Sequence, residues 1–429
     1  MAAVKNKKAA APASVQALAL ASISKGLKRL QTADRKAGNE VSVVLTQASA
    51  ESVAADRSRE YPTLNHSISL AIRRTSLPRG GVVMLHGAGA SGKTTYALQM
   101  CAHVQQEGGL AIYVDGECKL DLGYAQRLGV NVGDLVLLRP RTIQGAYRGL
   151  VLSLAAWRTA LEDNGLAHDA LPVVVVWDSY QSVGSEKADV DNLQGVAYGG
   201  DARDYSQMLR QIKFHIWYYG ALFLGIDQVR ASMEQPSRFS APKDKFGVGN
   251  APFHASLVVL VFEETSKIKK GPIQIGNAIR ITGKKVQVGP NGGSANAINL
   301  SGHGLNPVYG LEQAMLATGI AKVEKRNGRN VTVFVSNLTG EEVTWREWSD
   351  LSEILASQEG LAEEMDSLVS VIIDSPNVLD YLVANAEGTD APVTAGADAP
   401  TPIAEALDVA AANSADEAAF DGVELDMGT

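Results

Sequence analysis

The sequence predicts an α/β protein built on a mostly parallel central sheet, and three observations carry that prediction. Four nearly continuous apolar runs, GVVMLHG, LAIYVDG, LPVVVVWDS and ALFLGIDQ, have the composition of strands buried on both faces. Helical stretches separate them, as parallel strands joined by crossovers require. The 429-residue chain is 45% hydrophobic and 20% charged, enough apolar content for extensive cores and long enough for two or three domains.

Taken in order, residues 1–60 open Lys-bearing and Ala-rich. They continue with Val15, Leu18, Leu20, Ile23, Leu27 and Leu30 at helical spacing, then a short strand, VSVVLT, from Val41 to Thr46. One helix and one strand close no core alone, so this arm is expected to pack on something else. Residues 61–310 hold the alternating core, which adds the later strands LVVLVFEE and AIRITGKKVQV. LAIYVDG is expected beside GVVMLHG in the sheet. Two polar stretches interrupt the pattern, about 184–200 and 230–253. Both are too long for ordinary connections, so they read as functional loops or disorder.

Residues 311–385 predict a small α+β module, with VTVFVS and EEVTWR as a hairpin and SDLSEILAS and EEMDSLVSVII as helices. Within it, KVEKRNGRN reads as a solvated turn. From 386 to 429 the chain carries ten acidic residues and no Lys or Arg, a composition expected to stay disordered. The whole chain has a formal charge of −8, so the part without this tail carries about +2. Read by composition alone, the tail aids solubility.

Two cysteines, Cys101 and Cys118, supply no disulfide framework and no four-ligand zinc site. No apolar run reaches the roughly 18 residues of a membrane span, and the start lacks a signal-type apolar core. A cytoplasmic protein with no membrane partner is the expectation.

The chemistry begins at Gly87-Ala88-Gly89-Ala90-Ser91-Gly92-Lys93-Thr94, followed by Thr95, which fits G-x-x-x-x-G-K-[ST] without a mismatch. Its glycines let backbone N–H groups turn towards phosphate oxygens. Lys93 is placed to reach the β and γ phosphates, and the Thr94 hydroxyl to bind Mg²⁺. The strand before the loop and the helical TTYALQMCAHVQQEG after it are the context this motif needs. An acid that shares the metal should end a buried strand, where VVVVWDSY puts Asp178. A hydrolase also needs a group to orient or activate water, and LAIYVDGE offers Asp115 and Glu117, between which spacing does not choose. ALFLGIDQ ends another buried strand with Asp227 and Gln228.

GAGASGKTTYALQM, VDGECKLDLGYAQRLGV, VVVVWDS, DQVR and GNAPFHAS, in this order, resemble the bacterial RecA-type DNA recombinases over about residues 62–310. The resemblance is most specific from Gly87 to Val130. It implies a RecA-type P-loop ATPase fold with an N-terminal helix-strand oligomerisation arm, a small α+β C-terminal domain and a disordered acidic tail. It also offers second readings: the tail as a competitor for the basic DNA-binding surface and KVEKRNGRN as a duplex-DNA gateway. It implies Glu117 as the water-activating glutamate, Asp121 and Tyr124 as adenine contacts, and Gln228 as the link from γ phosphate to the second DNA-binding loop. Lys93 and Gln228 join Glu117 in the catalytic set.

The two polar stretches match the family's DNA-binding loops. The second supplies Arg230, Arg238, Lys243 and Lys245 for phosphates, Phe239 and Phe246 for bases, and Gly247, Gly249 and Asn250 at its end. The family's lysine pair, which reaches a neighbouring subunit's ATP, is altered. Its second member matches Lys285 and its first matches Gly283, with Lys284 as an adjacent substitute. GNAPFHAS is also one residue shorter than the usual form and lacks its lysine.

The resemblance thus implies an ATP- and Mg²⁺-dependent recombinase that forms a helical homo-oligomeric filament on single-stranded DNA, pairs it with duplex DNA, and works with single-strand-binding and loader proteins. Its setting would be a bacterial cell, or an infected host cell for a phage-encoded member. The alternatives are a hexameric helicase or translocase on the same fold, and a filament-forming regulator that exchanges no strands.

Overall fold

The computed structural model describes residues 60–185, 200–228, 250–290, 292–375, 377–379 and 382. The arm, most of the two polar stretches and the acidic tail lie outside the described residues. The chain divides into Met1–Arg59 and Glu60–Thr429, and every described residue belongs to the second unit.

That unit opens with β1 (Tyr61–Pro62) and β2 (Ser76–Leu77), paired antiparallel around α1 (His66–Ile72). Asn65 caps α1, its side chain accepting from the Ser67 N–H and donating to the Asn306 carbonyl. The core then alternates: β3 (Val82–Gly87), α2 (Lys93–Gln106), β4 (Leu110–Asp115), α3 (Leu122–Arg127), β5 (Leu135–Leu138), α4 (Ile143–Asp163), β6 (Val173–Asp178). A 3₁₀ turn at Tyr180–Ser182 follows, then α5 (Gly200–Tyr218), β7 (Leu222–Gln228) and α6 (Ala251–Ala255). The sheet finishes with a long hairpin, β8 (Val258–Lys270) and β9 (Ile273–Val286), and with β10 (Ser294–Leu300) and β11 (Gly304–Leu305).

The strand order is β5-β4-β6-β7-β3-β8-β9-β10-β11. Neighbours from β5 to β8 pair parallel, and from β8 to β11 antiparallel. The α/β class with a mostly parallel central sheet therefore holds. The expected adjacency of LAIYVDG to the phosphate-loop strand does not. β4 lies beside β5 and β6, while β7 and β8 flank β3, so two strands separate β4 from β3. Local sequence identifies a strand, but the crossover helices decide where it inserts.

Strand alternation sorts the core into two layers. Val83, Leu85, Val174, Val176, Leu222 and Leu224 face the side of α2. Val82, Val175, Trp177 and Phe223 face the side of α4 and α5, where Trp177, Tyr180 and Tyr205 pack edge to face or tilted within 5.8–6.2 Å. The interiors of β3, β6 and β7 are buried throughout, which explains their unbroken apolar runs.

After the sheet, α7 (Pro307–Thr318) has Asn306 as its N-cap and ends at Gly319, whose φ of 78° suits a left-handed cap. A three-stranded antiparallel sheet follows, β12 (Lys322–Arg326), β13 (Arg329–Val335) and β14 (Glu342–Trp345), with α8 (Trp348–Ser357) and α9 (Leu361–Ile373). KVEKRNGRN forms β12, a turn and the start of β13. Asn327 and Gly328 take φ of 51° and 74°, the conformation that tight hairpin turns favour. A separate core of Phe334, Trp345, Leu351, Met365 and Val369 packs against α7, and Trp345 Nε1 donates to Glu312 Oε1 at 2.7 Å inside it.

Among the described residues, no helix is long and apolar enough to cross a membrane.

Candidate nucleotide site

Four parallel strands end at one edge of the sheet, with Gly87 opposite Gln228 and Asp115 opposite Asp178. The carboxyl ends of such strands are where open α/β sheets bind ligands. The phosphate loop leaves β3 there. Gly87 takes φ of 153°, and a Cβ on it would lie 2.2 Å from the Phe262 carbonyl oxygen, so only glycine fits. Ala90 (φ 61°) and Gly92 (φ 95°) complete the turn into α2.

Lys93 is 4% exposed, and its Nζ donates to Gly87 O (3.0 Å), Ala88 O (2.6 Å) and Ser91 Oγ (3.1 Å). Burial pushes its pKa down to about 8, against the opposing pull of Asp178, Asp227 and Glu117. A buried ammonium held only by carbonyls and a hydroxyl, under a loop of backbone turns, is a fitting seat for polyphosphate.

Thr94 Oγ1 and Tyr113 OH both donate to Asp178 Oδ2 at 2.7 Å. Burial raises the Asp178 pKa, while these two hydrogen bonds oppose the rise. Thr94 and Asp178 thus present a hydroxyl and a carboxylate together, hard oxygen donors suited to Mg²⁺.

The two carboxylates left open by spacing occupy different environments. Asp115 is buried and structural: its oxygens accept from the Lys119 N–H (3.0 Å), the Leu120 N–H (3.3 Å) and Arg139 Nε (3.1 Å). Glu117 stands on the edge, its Oε1 accepting from Ser179 Oγ (2.9 Å) and Gln228 Nε2 (2.8 Å). Lys119 Nζ lies 3.2 Å from its other oxygen. Glu117, Gln228 and the residue after Asp178 therefore converge.

On the far side of the loop, Tyr124 OH bonds Thr95 Oγ1 at 2.8 Å, with Arg127 over the Tyr124 ring at 5.6 Å. Asp121 is exposed and caps α3, its Oδ1 accepting from the Tyr124 N–H at 3.0 Å. Tyr124 and Asp121 thus flank the loop as one local unit.

The altered lysine pair has a steric basis. A Cβ on Gly283 would sit 2.2 Å from the Ala71 carbonyl oxygen, so no side chain fits there. Lys285 Nζ donates to Phe253 O (3.0 Å), His254 O (3.4 Å) and Ser256 O (2.7 Å), closing the carboxyl end of α6. Lys284 is exposed. Asn250 is the N-cap of α6. Arg230, Arg238, Phe239, Lys243, Lys245, Phe246, Gly247 and Gly249 lie outside the described residues.

Sequence reasoning missed Ser179 and Tyr113, which hold Glu117 and Asp178. Their signal was adjacency in the register, since Tyr113 and Ser179 each lie within two residues of a strand end.

A family model described as the RecA N-terminal domain matches residues 25–306. Protein RecA of Thioalkalivibrio sulfidiphilus is 36% identical over 241 residues, 56% of this chain and 65% of that protein. Protein RecA of Delftia acidovorans is 30% identical over 304 residues, 70% of this chain and 76% of that protein. Protein RecA of Bordetella avium is 35% identical over 224 residues, 52% of this chain and 59% of that protein. The matches with the first and third thus span less than two thirds of those relatives. The phosphate loop, the strand-end carboxylates and these matches over most of the core agree: the chain belongs to the RecA family.

Proposed function

We propose that this chain is an ATP-dependent homologous recombinase. It would form a helical filament on single-stranded DNA, pair it with duplex DNA and exchange strands, with DNA-stimulated ATP hydrolysis. The observation that carries the reading is the hydrogen bond from Gln228 to Glu117. Gln228 ends β7, two residues before the 230–253 stretch, so the side chain at the foot of that stretch meets the carboxylate beside the phosphate loop.

The residues fit ATP and Mg²⁺, which when bound supply the phosphoanhydride and the cation that neutralises its charge. Backbone N–H groups of residues 87–95 and Lys93 would hold the phosphates, and Thr94 and Asp178 the metal. Tyr124 and Asp121 would bound the adenine. Glu117, held by Ser179 and Gln228, would accept the proton of the attacking water. Arg230, Arg238, Lys243 and Lys245 would neutralise DNA phosphates, Phe239 and Phe246 would stack on bases, and Gly247, Gly249 and Asn250 would close the loop. Lys284 and Lys285 would serve the subunit interface, with Gly283 leaving the family's first lysine position empty. Arm 1–60 would join protomers of the same chain, in the cytoplasm of a bacterial or infected cell.

The test measures ATP hydrolysis by the purified chain with and without single-stranded DNA, and images the ATP–DNA complex by electron microscopy. Stimulated turnover and open helical filaments are expected. Closed rings would turn the reading to a helicase, and filaments without strand exchange to a regulator.

A further inference from the structure

Directly beneath the phosphate loop lies a buried polar network that the reading above does not use. His86 and Asp227 face each other across the parallel β3–β7 pair, His86 Nδ1 and Asp227 Oδ2 being 2.7 Å apart, and they are 1% and 0% exposed. By strand alternation they share the face of Val82 and Phe223, the aromatic side of the sheet. Burying a carboxylate there costs several kcal/mol unless it is fully partnered. Its second oxygen is met by Gln181, whose Nε2 donates to Asp227 Oδ1 and also to the Gln228 carbonyl oxygen at 2.9 Å.

The second bond fills a gap in the ladder. β6 and β7 pair only as far as Trp177 opposite Gly225, because the chain then leaves β6 for the 3₁₀ turn. Ile226 to Gln228 therefore have β3 on one side and no strand of β6 on the other. Gln181 supplies the missing donor from that turn. The turn itself is fixed by Tyr180, whose ring stacks on Phe223 (6.5 Å) in space that only a glycine at 225 leaves open. A Cβ on Gly225 would lie 1.9 Å from the Tyr180 hydroxyl oxygen.

We propose that Gln181 is a positioning residue for ATP hydrolysis. Its amide, oriented by the Asp227–His86 pair, holds the end of β7 so that the Gln228 side chain keeps Glu117 in place. The proposal rests on the nucleotide-site reading above and adds to it the residue that sets the Gln228 backbone. Gln181 also sits just before the 184–200 stretch, so it ties together the strand ends that lead into both candidate DNA segments.

The test uses the full chain carrying Gln181→Leu, which keeps the bulk and removes the amide. DNA-stimulated kcat should fall roughly 10- to 100-fold, the size of effect expected when a reacting group is misplaced by about 1 Å. Affinity for a fluorescent ATP analogue should stay within about twofold, since the phosphate loop is untouched. In a Gln228→Ala background the same change should add less than about twofold, because the two residues act in series. Hydrogen exchange with a slowly hydrolysed ATP analogue bound should rise in the peptide covering residues 222–228 and stay unchanged in 82–98.

Unchanged kcat, full additivity with Gln228→Ala, or a parallel loss of nucleotide binding and thermal stability would overturn the proposal. If the unaltered chain hydrolyses no ATP, the recombinase reading fails. Hydrogen exchange then decides this inference alone, and an unaltered 222–228 peptide refutes it.

Discussion

At pH 8, binding of a slowly hydrolysed ATP analogue should draw about half a proton per site from solvent, because Lys93 is then only about half protonated. Burial brings its pKa down to about 8 in the free protein, with Asp178, Asp227 and Glu117 resisting the fall. A triphosphate beside the ammonium adds several negative charges and restores the charged form. ATP itself is fully ionised at this pH, so the uptake reports on the protein. At pH 9 the uptake should approach ~0.9 proton per site, and below pH 8 it should fall steadily, since Lys93 is then increasingly charged before the ligand binds. The assay is calorimetric titration in buffers of different ionisation enthalpy, whose slope counts protons.

Lys93→Arg is the control, because a guanidinium stays protonated throughout. An uptake below about 0.1 proton at both pH 8 and 9, or an equal uptake by the arginine variant, would refute the reasoning. The same shift has a sign for stability. With the folded pKa below the unfolded 10.5, the unfolded chain binds more protons between pH 8 and 10.5. Lys93 therefore costs stability fully below pH 8, by an order of ~3 kcal/mol, and that cost fades as pH rises to 10.5. Bound nucleotide should flatten this slope in denaturant titrations.

Glu117→Gln should cut ATP turnover by roughly 10²–10⁴-fold while ATP-dependent DNA binding persists or tightens, checked by steady-state hydrolysis and fluorescence anisotropy. Gly283→Ala forces a Cβ against the Ala71 carbonyl, so urea melts should show a loss of about 1–3 kcal/mol, and an unchanged midpoint would mean that α1 yields freely. Trp345→Phe leaves Glu312 without its buried donor and should cost about 1–3 kcal/mol in the same melts. Burial raises the Glu312 pKa and the Trp345 bond opposes that rise, so the loss should shrink as pH falls and the carboxylate takes up a proton. Deleting residues 386–429 removes ten acidic groups and should speed loading onto duplex DNA, with a gain that shrinks as salt shortens the screening length from about 10 Å at 0.1 M.

What was legible in the sequence was whatever a short window encodes. The phosphate loop is contiguous, and its glycines announce backbone geometry that β3 and α2 then provide. The buried strands read as apolar runs because both of their faces are covered. What escaped is set by register. LAIYVDG declares a strand, yet its distance from β3 depends on how α4 and α5 route β6 and β7 between them. What distinguishes the surroundings of Glu117 from those of Asp115 could not be read from their two-residue spacing. It appears only when Arg139 and the Lys119 and Leu120 N–H groups claim Asp115. Gly283 looked like a lost lysine, but the cause sits 212 residues away at Ala71, where the α1 backbone approaches too closely for any side chain.

The same limit explains why the pairing of His86 with Asp227 was silent. Each is one polar residue at the end of an apolar run, where a solvated strand tip is the ordinary reading. Only the pairing of His86 with Asp227, and of Gly87 with Gln228, puts both under the loop with no exposure. An ionisable pair buried on an aromatic face gains little stability from its own attraction, since desolvation offsets it. Its effect must then come through what it orients. The atom it orients is the Gln181 amide nitrogen, and that nitrogen reaches the Gln228 backbone. From there the path to Glu117 is one side chain long. If the 230–253 stretch binds DNA as proposed, its coupling to the nucleotide needs no long relay, because β7, which precedes that stretch, ends against Glu117.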